Sequence, residues 1–470
     1  MTNRRDFLKL ACGAAGFAAF EQGLDRFGLL AHAASAAPPN QYRALVCIFM
    51  FGGNDANNMV IPVDAGGNTG YNKYAQSRGA SLALPALGAT AFLNALPSTG
   101  QRFGLHPAMP ELKTLFDQGK LAVVPNVGPL TRPTTKAQYQ SNAAYRPYQL
   151  FSHSDQQSSW MAPQSDAKSI YGWGGRVIDM VSDLNTGTSF PASISLQGNN
   201  QFNVGQTQKA LNVAPAPTAL NAIFPLNGFA ANAIDNARKT AFNSLRTFDA
   251  GVPLVKAASD ITQQGLDIQA SLSQDPVVGA FPATGLGNQL KQVAKIIKQN
   301  QVSLNVSRQV FFCSIGGFDT HQDELAAHTN LYTQISKAMG AFYTELTAQN
   351  LAANVTTFTM SDFGRTMAPS GSGTSVGSDH AWGSHQLVMG GAIKAADFYG
   401  TPGLNGAAFP DLVLGTAYDT DNRGRWIPST AVDQYASTLG LWLGATPAEL
   451  NTVFPNLYRF PTNDLGFLNP

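Results

Sequence analysis

Unbroken apolar runs, rather than alternating ones, recur along this chain, and each empties into a polar or glycine-rich loop. Arg43 to Met50 (RALVCIFM), Leu121 to Val124 (LAVV) and Arg308 to Ile315 (RQVFFCSI) read as strands buried on both faces, and the β-branched run Asn354 to Met360 (NVTTFTM) as another. Pro191 to Leu196 predicts a shorter one. Between them the period changes. Met109, Leu112, Leu115 and Phe116 share one face of Pro107 to Gly119, with proline in the first turn and glycine past the end. Leu331, Ile335, Met339, Phe342 and Leu346 line a second helix, while Ala431 to Leu443 and Pro447 to Val453 predict two more near the end. Strand, helix, strand is the pattern of an α/β fold with a mostly parallel sheet. Residues 165 to 300 are mostly helical in pattern, with Leu286, Leu290, Val293 and Ile297 on one face, and read as a helical insertion or cap.

Composition adds a core and removes some partners. A chain of 470 residues, 44% hydrophobic and 13% charged, is long enough for a substantial globular core. A net charge of +1 points to neither nucleic acid nor an anionic membrane as partner. Arg4-Arg5 precede Phe7-Leu8-Lys9, then come an apolar run from Leu10 to Phe20 and small-residue cleavage sites near Ala33 and Ala36. That RRxFLK pattern resembles a twin-arginine export signal over residues 1–36, which leaves residues 37–470 as a mature periplasmic or extracellular protein without a stable membrane span. Cys12 falls in the signal. Cys47 and Cys313 each lie inside a predicted strand and read as small buried hydrophobes, with a disulfide open only if those strands are neighbours.

The candidate chemistry sits where the strands end, as it does in open α/β sheets. Arg43–Met50 runs into FGGNDANN, which offers Asp55, Asn57 and Asn58 as oxygen ligands or closes the strand as an Asx turn. Arg308–Ile315 runs into GGFDTH, repeating that layout with Asp319 and His321. NVTTFTM runs into SDFGRT, and GSDHAWGSH follows, carrying Asp362, Arg365, Asp379, His380 and His385. Ser152, His153, Ser154 and Asp155 precede a predicted helix and form either a nucleophile or anion site or a serine-rich cap. Carboxylates with imidazoles at separated strand ends suit Zn²⁺, Mn²⁺ or Mg²⁺, one ion or two, acting on a phosphoryl or sulfuryl group. His328 reads as a surface or capping residue.

GGNDANN, LHPAMPELKTLFDQGKLAVVPNVG, SH at Ser152, GGFDTH, SDFGRT and GSDHAWG, in that order, resemble the exported bacterial family called domain of unknown function 1501. That family looks like a remote relative of the alkaline phosphatase and sulfatase superfamily. The resemblance implies a three-layer α/β/α sandwich with two metal sites: Asp55 and Asp362 at one, Asp319, His321 and His380 at the other. It further implies Ser152 or Ser154 as nucleophile and Arg365 as a bidentate partner of substrate oxygens. Two departures stand out. The superfamily's Asp-His after the NVTTFTM strand is here Asp362-Phe363, so one ligand is missing unless His153, Asp379 or His385 replaces it. No C-x-P-x-R or S-x-P-x-R sequence is present, which speaks against a type I sulfatase. The expectation is therefore an exported metal-dependent hydrolase of a small-molecule or polymer ester. Against it stands a non-catalytic module that binds an exported protein partner, with glycan binding by Trp160, Trp173 and Trp382 as a third reading.

Overall fold

A computed structural model describes residues 41–86, 100–164, 168–222, 232–272 and 274–470, so the export signal expected over 1–36 lies outside it. The strands are β1 (Arg43–Met50), β2 (Val60–Pro62), β3 (Phe103–Leu105), β4 (Leu121–Gly128), β5 (Ser193–Ser195), β6 (Leu211–Asn212), β7 (Arg308–Ile315), β8 (Val355–Ser361), β9 (Ser384–Met389) and β10 (Thr430–Ala431). The helices are α1 (Ala56–Met59), α2 (Tyr71–Leu82), α3 (Pro110–Asp117), α4 (Lys136–Ser141), α5 (His153–Met161), α6 (Trp173–Met180), α7 (Ala233–Thr247), α8 (Pro253–Ser271), α9 (Gly285–Gln299), α10 (Glu324–Ala348), α11 (Val432–Leu443) and α12 (Pro447–Val453).

Eight strands form one sheet in the order β10-β4-β9-β8-β1-β7-β5-β6, and β2 pairs with β3 separately. All pairings in the large sheet are parallel except those of β9, which runs antiparallel to both β4 and β8. Every residue of β1, β4, β7, β8 and β9 is buried, as unbroken apolar or β-branched runs require when both faces of a sheet are covered. Helices α3, α9 and α10 pack together on one side; α6, α11 and α12 make a second group against the strands. The expected α/β architecture with a mostly parallel sheet is the one observed. Within 165–300 the chain adds β5 and β6 to the sheet edge, then projects α7 and α8, which pack on each other. Among the described residues no helix is long and apolar enough to cross a membrane.

The neighbouring parallel strands β1 and β7 set the position of the two Gly-Gly loops. Their register places Cys47 opposite Phe312 and Cys313 opposite Ile48. The strands are neighbours, but the thiols sit one residue out of step and so point to opposite faces, both free and buried. The same register brings the two Gly-Gly loops together above the strands. Gly52 (φ +115°) approaches the amide of Asp319 so closely that a Cβ would collide with it. Gly53 would place a Cβ 2.5 Å from the Phe363 ring. Trp160, Trp173 and Trp382 are all buried in the core, which removes the exposed rings that glycan stacking needs.

Candidate metal centre at the strand ends

Asp319 stands four residues past β7 on the loop that Gly317 turns (φ +102°), with 45% of its side chain exposed. Around it gather groups from three other segments. His153 is the first residue of α5, and His380 lies on the segment before β9. Single ligand atoms of His153, Asp319 and His380 all lie within 4.8 Å of one another, a group that could hold a metal ion. Nε2 of His153 is 3.4 Å from Asp319 Oδ2, and Nε2 of His380 is 3.3 Å from Asp319 Oδ1. The two nitrogens thus flank the Asp319 carboxylate, one beside each oxygen, close enough for the three groups to share one ion.

The other ring nitrogens explain why both Nε2 atoms face inward. Nδ1 of His153 lies 2.7 Å from Asp362 Oδ2, and Nδ1 of His380 lies 2.9 Å from the Phe151 carbonyl oxygen. Facing a carboxylate and a carbonyl oxygen, each Nδ1 is placed to donate, and each Nε2 is turned to Asp319, where a proton or a cation can lie between them. Asp362 is itself held by the Gly52 amide at 3.2 Å and by Gln157 Nε2 at 2.9 Å. Phe151 has a left-handed backbone (φ +78°), uncommon for a residue with a side chain and costing of order 1 kcal/mol. Its strained turn aims the carbonyl at His380.

Charge follows geometry. The hydrogen bond to Asp362 raises His153 above its ordinary pKa against the opposing effect of burial, whereas burial lowers His380. Burial would push the Asp319 carboxyl up, but the hydrogen bond and charge of Arg365, with the imidazoles of His153 and His321, hold it below the usual carboxylate range. His321 bridges Asp319 (3.1 Å) and Asp379 (3.5 Å), and Asp379 also pairs with Arg423.

The segments SDFGRT and GSDHAWG, which the superfamily plan would divide between two ions, lie side by side. Ala381 N–H donates to Gly364 O (2.8 Å), Gly364 N–H donates to Trp382 O (3.2 Å), and Arg365 faces His380 in an isolated bridge. Phe363, standing where an imidazole is expected, is a buried floor beneath both ligands, its ring centroid 4.8 Å from that of His153 and 4.5 Å from that of His380.

A family model matches residues 42–409. The chain belongs to the family described as protein of unknown function (DUF1501). All of the cluster's residues lie inside the matched DUF1501 segment, while Arg423, α11 and α12 lie beyond it. No curated protein matches the chain. Among solved structures, crystal structures of Ps i-CgsB resemble 90% of this chain over 77% of their own length at 8% identity. One of them is in complex with k-i-k-neocarrahexaose, and the TM-scores are 0.35 and 0.33. A likeness at that level carries no argument about activity.

Several residues of this DUF1501 protein that the motifs offer as ligands sit elsewhere. Asp55 is fully buried, with Oδ2 2.5 Å from Arg78 Nη2, beside Glu324, and burial drives its carboxyl well up. An arginine from α2 therefore stands where an ion would stand. Asn58 accepts from the Tyr74 hydroxyl (2.6 Å) and donates to the Leu82 carbonyl (3.0 Å), fixing α1 against α2. His385 is buried on β9, accepts from the Asn126 amide at 3.0 Å, packs on Phe409 and is pushed down to about 3 by burial. Ser152 caps α5 in position only. Its hydroxyl donates to Asp155 Oδ2 (2.8 Å) and lies 3.4 Å from the exposed Ser154 hydroxyl. His328 is not a surface residue: it is 1% exposed, with Nε2 2.9 Å from the Thr320 hydroxyl.

Gln157, Glu324 and Arg78 escaped the motif reading. For Gln157 a signal existed, since it stands one helical turn from His153 and both reach the same oxygen of Asp362. Arg78 and Glu324 gave none, because nothing in their neighbouring residues marks a charge for burial.

Proposed function

We propose that this chain is an exported, metal-dependent hydrolase of a phosphate or sulfate ester, with His153, Asp319 and His380 as ligands of a divalent ion. The observation that carries the proposal is the turning of two imidazoles, each pinned through Nδ1 by an acceptor, so that both Nε2 atoms meet one carboxylate. Facing lone pairs and a carboxylate repel one another unless a proton or a cation lies between them. Two imidazoles and one carboxylate suit Zn²⁺ or Mn²⁺ better than Mg²⁺, which takes oxygen donors. An ion bound there supplies a lowered pKa to a water or hydroxyl and neutralises charge developing on the ester. Asp362 holds His153 in its ligating tautomer, and the Phe151 carbonyl does so for His380. Ser152, Ser154 or a water is the attacking group, and the first two stand at the free end of α5 next to His153.

Ligands spread over strand-end loops of a mostly parallel sheet support a remote relationship to the alkaline phosphatase and sulfatase superfamily. Export rests on the RRxFLK segment and its cleavage sites. The test is elemental analysis of natively exported protein together with turnover of aryl phosphate, phosphodiester and aryl sulfate panels. About one ion per chain with turnover of one panel is expected; metal-free protein without turnover overturns the reading. A second reading, a non-catalytic exported binding or assembly protein, is favoured by one observation: the Ser152 hydroxyl is engaged by Asp155 instead of a base beside the ligands. Metal-loaded protein inert across all panels would favour it.

A further inference from the structure

Beside the three ligands lies a cation that the protein carries in its own sequence. The Arg365 side chain is 0% exposed. Its Nη1 donates to the carbonyls of Gly52 (3.1 Å) and Phe318 (3.4 Å) and to Asp319 Oδ1 (3.2 Å). Nε donates to the Ser378 hydroxyl (3.1 Å) and lies 3.5 Å from Glu324 Oε2, and Nη2 donates to the Ser378 carbonyl. Two carboxylates, three carbonyls and a hydroxyl are the donor types that enclose a hard divalent ion. Here they surround a guanidinium at hydrogen-bond distances, which suit its broad, planar spread of N–H groups. Asp319 links the two halves, one oxygen toward Arg365 and His380, the other toward His153.

We propose that the Arg365 guanidinium stands in for a second metal ion, so that the centre takes one exchangeable ion and keeps one fixed cation. The proposal rests on the metal reading above. Two other roles fit the geometry less well. A bidentate hold on substrate oxygens needs donors turned outward, and those of Arg365 turn inward to loop carbonyls and carboxylates. A purely structural ion pair would not share its carboxylate with two imidazoles that need a cation of their own. Removing the guanidinium leaves Asp319 without its arginine and Glu324 with Arg78 alone, inside a cage already furnished with carbonyl oxygens. A charge vacancy of that kind attracts a replacement.

The experiment is stoichiometry, read by calorimetric titration of metal-stripped full-length protein with Zn²⁺ and by elemental analysis after desalting. Wild type is expected to take one equivalent and Arg365→Lys, which keeps the charge, also one. Arg365→Ala is expected to take two, with the second displaced by millimolar guanidinium ion. Two equivalents in wild type, or one in a natively folded Arg365→Ala, overturn the fixed-cation proposal while leaving the metal site standing. No binding by wild type overturns both. If Arg365→Ala is unfolded on its own, recovery of its native circular dichroism by Zn²⁺ or guanidinium ion supports the proposal, and failure of both to restore it overturns it.

Discussion

FGGND at the end of β1 and IGGFD at the end of β7 are nearly the same words on neighbouring parallel strands, yet their aspartates meet opposite fates. Asp55 is fully buried against Arg78, with Glu324 beside it and the Tyr332 hydroxyl on its own backbone carbonyl. Asp319 is 45% exposed in its side chain and faces three imidazoles and one arginine. Local sequence brings a carboxylate to the strand end in both cases. What each carboxylate does is decided by the elements that arrive beside it: α2 with its arginine at β1, the start of α5 with its histidine at β7. One motif has become part of the scaffold and the other part of a candidate ligand site.

Swapping each carboxylate for alanine separates the two roles most sharply. Asp55→Ala should cost about 3–5 kcal/mol of unfolding free energy, because Arg78 is left buried with Glu324 as its one carboxylate partner beside the Thr366 and Met367 carbonyls. Denaturant unfolding of the metal-free protein measures it, and a loss below about 1 kcal/mol would mean that the buried pair is not what holds these loops. Asp319→Ala should cost clearly less metal-free stability than Asp55→Ala, since its side chain is half in water and Arg365 keeps Glu324 and its loop carbonyls, while lowering Zn²⁺ affinity by more than about 100-fold. Equal metal binding by the two variants would erase the contrast.

A smaller effect is expected one step back from the ion. Asp362→Asn should weaken Zn²⁺ binding about 10–100-fold, because an amide no longer compels Nδ1 of His153 to carry the proton. The Gly52 N–H donates to Oδ1, the oxygen that asparagine can retain, which gives the folded backbone an independent reason to persist. Isothermal titration of the folded variant is the measurement, and unchanged affinity would remove Asp362 from the site.

The histidines of the two regions should also respond to pH with opposite sign. His328, next to the Asp55 network, is lowered to about 4 by burial, so the unfolded chain binds its proton first and stability falls as pH drops below about 6.5. Between pH 7 and 5.5 this amounts to about 1 kcal/mol. His153 is raised by its hydrogen bond to Asp362, so its contribution is present below about 6.5 and is lost as pH rises through the folded value. In metal-stripped protein, His328→Gln should flatten the acid side of the stability profile and His153→Gln the neutral side. Identical profiles for both variants would show that the two regions do not differ in proton binding.

Much of the frame was legible along the chain. β1, β4, β7 and β8 declare themselves because strands covered on both faces must be apolar or β-branched throughout, α10 because a helix over a sheet shows an apolar stripe, and α11 and α12 because of the turn residues and proline at their starts. Strand ends carrying Asp319, Asp362 and His380 marked segments that the fold brings side by side. Choosing among the strand-end carboxylates was a different matter. Arg78, which claims Asp55, sits on a helix broken at Gly79 (φ +66°) with no apolar stripe to reveal its buried side. His153, which supplies the imbalance at Asp319, lies far from β7 in sequence and meets it only because α5 begins over the ends of β8 and β7.

Short-range pattern by itself determined the strands β1, β4, β7 and β8, several of the main helices and the delivery of carboxylates and imidazoles to the loops at their ends, since periodicity and turn chemistry act over a few residues. Tertiary structure alone decided which carboxylate faces solvent, which nitrogen of each histidine is free, and that Arg365 turns inward. Those outcomes depend on burial and on partners hundreds of residues away, and no local pattern encodes them.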